Sequence, residues 1–172
     1  QLKKAAKESL SGRWGFAILM FVLFSIIQTI PSIFAPDPNQ DLNAMSAVSF
    51  ILSILLIPIA TGWTWVAMSF ARNEEVKVAD LFEAYKVFGK VIGVSIVQAI
   101  FLFLWTLLLI IPGIIKSFSY LLTFYILRDE PSIGILEAIT RSRQLMDGHK
   151  MEAFLLFLSF IGWALLVIVT LG

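Results

Sequence analysis

The chain has 172 residues, 59% of them hydrophobic and only 15% charged, with a mean hydropathy of +0.89. Soluble domains carry about 25% charged residues, so an ordinary water-soluble domain is excluded, and a formal net charge of +1 leaves none of the basic excess that nucleic-acid binders concentrate on one face. With no Cys and one His, disulfides, thiolate nucleophiles and multi-histidine metal centres are excluded, and no cofactor is implied.

In chain order, a short basic arm precedes an apolar run over residues 14–35. A bilayer core of ~30 Å needs about 20 such residues, so this run is the first expected span. The connection "PDPNQDLNAMS" follows, with Asp37 and Asp41 and no basic residue. A second span is expected over 47–70 and contains Pro58 and Gly62, residues that membrane helices tolerate when neighbours re-satisfy the backbone. The third and clearest runs over 91–111 and is expected to break at Pro112-Gly113. Residues 114–127 read as a short fourth helix, with a re-entrant segment or a kinked continuation as the alternatives, and 151–171 as the fifth span. The expected fold is all-α, a polytopic transmembrane helical bundle of about five spans with amphipathic interfacial helices on the cytoplasmic side. The chain stops on "VIVTLG", an apolar run without an anchor, so a single integral-membrane domain over 1–172 is expected to have continued into a sixth span.

Basic residues are retained on the cytoplasmic side of a membrane. Lys3, Lys4, Lys7 and Arg13 fall in the arm, Arg72, Lys77, Lys86 and Lys90 in the second connection, and Arg128, Arg141, Arg143 and Lys150 in the fourth. All twelve lie on one side if the N-terminus is cytoplasmic, in a multi-pass protein of a bacterial cytoplasmic membrane. Lys116 dissents and is expected to snorkel to the outer interface.

Three stretches share an order of polar-apolar segment, Gly, basic residue and span: "AKESLSGRWGFAIL", "EAYKVFGKVIGVSIV" and "SRQLMDGHKMEAFL". In the second, Val78, Leu81, Phe82, Tyr85 and Phe88 recur at α-helical spacing. In the third, Ile135, Ala138, Ile139, Ser142 and Met146 do so, with Glu137, Arg141 and Gln144 opposite. Each segment is expected to lie on the inner membrane surface and turn at its Gly into a span. Arg141 is placed for an i,i+4 pair with Glu137.

Arg143 falls at the edge of its apolar stripe. With Arg13, Lys90, His149 and Lys150 it forms a candidate set for contact with anionic lipid headgroups, and ordinary positive-inside anchoring accounts for the same residues. No Asp, Glu, Arg or Lys sits mid-span in the first, second, third or fifth helix, which argues against ion-coupled transport. Gln28 and Gln98 are the strongest polar groups at depth, either interhelical hydrogen-bond partners or the lining of a path. Trp105 and Trp163 stand far beyond the basic ends of their spans, where each indole N–H needs an acceptor inside the bundle or near the outer interface.

The motifs "LWTLLLIIPGIIKSFSY", "EAITRSRQLMDGHK" and "LSFIGWALL" together resemble the bacterial integral-membrane family known as domain of unknown function nine-seven-five. The resemblance covers most of the chain and implies a membrane fold without implying a reaction. A looser likeness, in the Pro-Gly-Ile break and the Glu-Ala-x-x-x-Ser-Arg helix, is to the membrane domain of bacterial glycerophosphodiester phosphodiesterases. It hints at a glycerophospholipid context and brings no catalytic residues. The expectation is a non-enzymatic protein that binds or moves lipid-like or amphipathic molecules in envelope homeostasis, with anionic membrane lipids as partners. The alternatives are a membrane adaptor or immunity-type protein docked on a transporter or sensor, and a channel or small-solute transporter.

Overall fold

The computed structural model describes residues 2–35 and 44–171, and every regular element among them is helical. The expected acidic connection with Asp37 and Asp41 lies outside the described residues, as does the side chain of Trp163. The chain forms two compact units, Gln1–Ile92 and Gly93–Gly172.

The first unit contains α1 (Leu2–Ser9), α2 (Trp14–Ile33), α3 (Ala44–Ala71), a 3-10 helix η1 (Val78–Val87) and the first turn of α4 (Phe88–Leu108). Its core is Met20, Val66, Phe70 and Leu81, with Leu10, Phe16 and Trp63 packed against it. Ser49 donates to the Pro31 carbonyl at 2.9 Å and Phe24 stacks on Trp63 at 5.2 Å, which pair α2 with α3. The other faces are apolar and open: Ile18, Phe21, Val22 and Ile26 on α2, and Phe50 and Ile51 on α3, are all exposed. An apolar surface of that extent is not sustained in water. Three helical stretches, Trp14–Ile33, Ala44–Ala71 and Val78–Leu108, are long and apolar enough to cross a membrane, and only 6% of the first is buried inside the protein.

Helix α3 ends on Asn73 at φ 57°. The Glu74 N–H reaches back to the Ser69 carbonyl at 2.9 Å and the Asn73 N–H to that of Phe70 at 3.2 Å, the pair of bonds that closes a helix through a left-handed residue. Asp80 then starts η1 by accepting from the Lys77 N–H at 2.7 Å.

The second copy of the Gly-basic pattern departs from expectation here. Residues 78–87 wind as a 3-10 helix rather than an α-helix, so residues three apart eclipse one another. Leu81 and Ala84 are buried, while Phe82, Tyr85 and Phe88 stack in a row, 6.4 and 6.2 Å between successive centroids. Gly89 sits inside the following α-helix without a left-handed φ, so η1 runs straight into α4. The cause is a close approach of backbones. A Cβ on Gly62 of α3 would stand 2.7 Å from the Leu81 carbonyl carbon and closer still to its oxygen, and Tyr85 Oη donates to the Leu55 carbonyl at 2.6 Å. Both contacts hold η1 lengthwise against α3.

The other two copies do turn at glycine, by one shared scheme. Gly12 has φ 76° and Gly148 φ 81°, a left-handed conformation that costs glycine nothing. Around Gly12, the N–H groups of Ser11, Arg13 and Ala17 donate to the carbonyls of Glu8, Leu10 and Arg13. Around Gly148, those of Asp147, His149 and Ala153 donate to Gln144, Met146 and His149, in the same register.

The second unit holds the rest of α4, α5 (Ile110–Ser119), α6 (Thr123–Asp129), α7 (Ile135–Leu145) and α8 (Lys150–Leu171). The break after α4 falls at Leu109, extended at φ −161° and ψ 138°, three residues before Pro112. Proline has no N–H for the carbonyl four residues back and its ring crowds that carbonyl. Here that residue is Leu108, the last of α4, and Pro112 is absorbed into the first turn of α5. The expected single helix over 114–127 is instead parts of two helices joined by a turn at residues 120–122.

Helix α5 doubles back along α4. A Cβ on Gly113 would lie 2.6 Å from Thr106 Oγ1, the Gln98 amide donates to the Tyr120 carbonyl at 3.2 Å, and Phe101 meets the Tyr120 ring. Helix α7 buries Ala138, Ile139 and Ser142, as its spacing requires. Ser142 is fully buried: its hydroxyl donates to the Ser119 carbonyl at 2.9 Å and accepts from the Leu122 N–H at 3.2 Å, which ties α7 to the α5–α6 turn.

Candidate functional site

Two adjoining concavities lie within the second unit. One, of about 320 Å³, is polar and lined by Lys116 and Ser119 of α5, Thr140, Arg143 and Gln144 of α7, Asp147 of the corner and Lys150 of α8. The other, of about 280 Å³, is apolar and formed by Ile111, Ile114, Ile115 and Phe118 of α5 with Lys150, Met151 and Phe154 of α8. Helix α5 serves both because one turn is 3.6 residues: Ile111, Ile115 and Phe118 share one face, while Lys116 and Ser119 fall on the next. Phe118 meets Phe154 edge-on at 5.9 Å and Phe157 at 6.3 Å, making a firm wall for the groove.

Charge in the polar cleft is unbalanced. Lys150 Nζ pairs with Asp147 Oδ1 at 3.2 Å. Arg143 and Lys116 have no carboxylate partner among the described residues. The Lys116 ammonium stands 4.5 Å from the centre of the Trp105 ring, where the negative face of the indole attracts it. The hydroxyl hydrogens of Ser119 and Thr140 are given to the carbonyls of Ile115 and Leu136.

Of the residues singled out from sequence, the fold brings Arg143 and Lys150 together here and adds Lys116 to them. Lys116, separated from them in the sequence by some thirty residues, stands beside these cations because the return of α5 carries it there. Its signal in the sequence was a lysine within an apolar run, a cost that a membrane protein tolerates for a reason.

The remaining candidates stand elsewhere. His149, in the turn just before α8, faces Glu152 Oε2 of the first turn of that helix with its Nδ1 at 3.5 Å and is exposed. Lys90 lies half-buried in the first turn of α4, in the first unit. Arg13 gives its guanidinium to protein acceptors: Glu74 carbonyl at 2.9 Å, Asn73 Oδ1 at 3.0 Å and Ser9 carbonyl at 3.1 Å, with the Phe70 ring beneath it. It latches the first corner to the end of α3. Gln28 is half-buried on α2 of the first unit, whereas Gln98 in the second unit uses its amide on Tyr120. Arg141 pairs with Glu130 rather than with Glu137, because the α6–α7 turn brings that carboxylate to it.

Among the described residues no group of three His, Asp or Glu side chains could hold a metal ion. The arrangement suits recognition of an anion next to an apolar chain.

No curated protein and no solved structure matches the chain, and the likeness to the phosphodiesterase membrane domain finds no counterpart. The family model described as Protein of unknown function (DUF975) matches residues 1–118 and 106–172. Since these two matches together run from the first residue to the last, the chain belongs to the DUF975 family.

Proposed function

We propose that this chain is a non-enzymatic, multi-pass protein of a bacterial cytoplasmic membrane, its N-terminus in the cytoplasm, that binds an anionic amphiphile in its second unit. The head enters the cleft of Lys116, Arg143 and Lys150, and an acyl chain lies along Ile111, Ile115, Phe118 and Phe154. The observation that carries this reading is the junction of the two concavities at Lys150, with α5 presenting a polar face to one and an apolar face to the other. Ligand sites are largely apolar with a few convergent polar groups, and this pair has that composition. Membrane lipids are the partners it implies. Arg13 acts as a latch in this reading, and Lys90 and His149 as anchors at the membrane surface.

The test is lipid binding by the purified full chain in detergent, read by native mass spectrometry, with phosphatidylglycerol against phosphatidylcholine. A basic group near lipid contributes about 1 kcal/mol, about fivefold in affinity, so Arg143→Gln and Lys150→Gln are each expected to weaken phosphatidylglycerol binding about fivefold. Equal binding of the two lipids, unchanged in both variants, refutes it.

A further inference from the structure

We infer that the anionic head taken by this cleft is a phosphomonoester dianion, not a phosphodiester monoanion; the inference rests on the reading of the cleft as an anionic-amphiphile site.

The first support is a balance of charge. Lys116, Arg143 and Lys150 bring three positive charges, and Asp147 offsets that of Lys150 through the 3.2 Å pair. Lys116 and Arg143 are left without an acidic partner among the described residues. A phosphodiester carries one negative charge and leaves one of them uncompensated. A phosphomonoester carries about 1.5 to 2 at neutral pH and offers three acceptor oxygens, which matches both.

The second support is oxygen count. Arginine engages phosphate through a planar fork that occupies two oxygens at once. A phosphodiester has two unesterified oxygens, so a fork from Arg143 uses both and the Lys116 ammonium has none to itself. The third oxygen of a monoester supplies it. Neutral donors do not fill the gap, because Ser119 and Thr140 have already given their hydrogens to Ile115 and Leu136, which leaves the Gln144 amide alone among the neutral side-chain donors of the lining. A cationic head such as choline meets only repulsion from Lys116 and Arg143.

A phosphomonoester can be borne on a lipid or be free in solution. The groove that shares Lys150 with the cleft favours the lipid-borne form.

The experiment compares phosphatidic acid, phosphatidylglycerol and phosphatidylcholine of the same acyl composition, bound to the full chain in neutral detergent and read by native mass spectrometry. Phosphatidic acid is expected to bind about fivefold more tightly than phosphatidylglycerol at pH 8, the factor for one further charge contact. That preference is expected to fall to near unity in Lys116→Met and in Arg143→Gln. Arg143 is exposed, so its replacement leaves the fold in place and keeps the test decisive even if Lys116→Met fails to fold. The preference is also expected to shrink as pH falls below the second phosphate ionisation near 6. Millimolar inorganic phosphate that displaces phosphatidic acid identifies a free phosphomonoester as the occupant, and phosphate without effect identifies the lipid-borne one; either result supports the dianion site. Phosphatidic acid and phosphatidylglycerol binding equally, and both above phosphatidylcholine, overturns the dianion and leaves the amphiphile site standing. All three binding equally overturns both.

Discussion

Replacing Gly62 with alanine tests the packing of the first unit at its tightest point. The new Cβ would lie 2.7 Å from the Leu81 carbonyl carbon and 3.2 Å from its Cα, and closer than either to the carbonyl oxygen. The obstacle is backbone, so no side chain can swing aside, and η1 must lift by more than an ångström. That movement disturbs Leu81, which is fully buried, and stretches the 2.6 Å bond from Tyr85 to the Leu55 carbonyl. Overpacking costs about 1–3 kcal/mol and the loss of a hydrogen bond about 1 kcal/mol, against a helix-propensity gain of up to about 1 kcal/mol for alanine over glycine. The net is a destabilisation of about 1–3 kcal/mol. For a chain of this length each kcal/mol moves the melting temperature by about 2–4 °C. Thermal melts of purified protein in a fixed detergent, followed by tryptophan fluorescence, should place Gly62→Ala several degrees below the parent. Gly89→Ala is the control: nothing lies within 4 Å of its Cβ position and its φ is not left-handed, so helix propensity alone predicts an unchanged or higher melting temperature. If Gly62→Ala melts at or above the parent, the close approach of η1 to α3 is wrong.

Other substitutions probe other joints. Ser142→Ala leaves the Leu122 N–H and the Ser119 carbonyl without their buried partner, and is expected to cost about 1–3 kcal/mol in the same melts. Arg13→Lys cannot reproduce a fork held by three acceptors; it is expected to destabilise by about 1 kcal/mol, with proteolysis near residue 73 rising as the readout of a loosened corner. Gly148→Ala, at φ 81° with open space around it, should lose about 1 kcal/mol to backbone strain alone, and Gly148→Asn less, since asparagine visits that region more readily.

Much of the fold was legible because hydropathy and length act locally. The apolar run from Trp14 and the helical spacing of Ala138, Ile139, Ser142 and Met146 each declare their structure without reference to anything distant, and the helices follow them. The departures occur where a remote group decides. Spacing alone makes residues 78–88 an α-helix, and it is Gly62, some twenty residues earlier, that lets η1 lie flat on α3. Gly12, Gly89 and Gly148 look alike in sequence, but only the first and last follow a helix that has ended; Gly89 is preceded by a 3-10 segment that simply changes pitch. The break at Leu109 was misplaced because Pro112 acts on the carbonyl four residues behind it. For the site, Arg143 and Lys150 were visible as basic residues next to a span. Lys116 was visible as a charge and invisible as their neighbour, since only the return of α5 along α4 joins them.

The ten residues of η1 have a consequence for the length of the element they begin. A 3-10 helix rises about 2.0 Å per residue and an α-helix 1.5 Å, so this segment is about 5 Å longer than the same residues would be if they rewound. It is an extended spring at the head of α4, and the row of Phe82, Tyr85 and Phe88 is its gauge: rewinding would rotate each ring about 60° from the last and unstack them. The parent and a Tyr85→Phe variant, which lacks the bond to Leu55, therefore differ in how firmly that spring is held open.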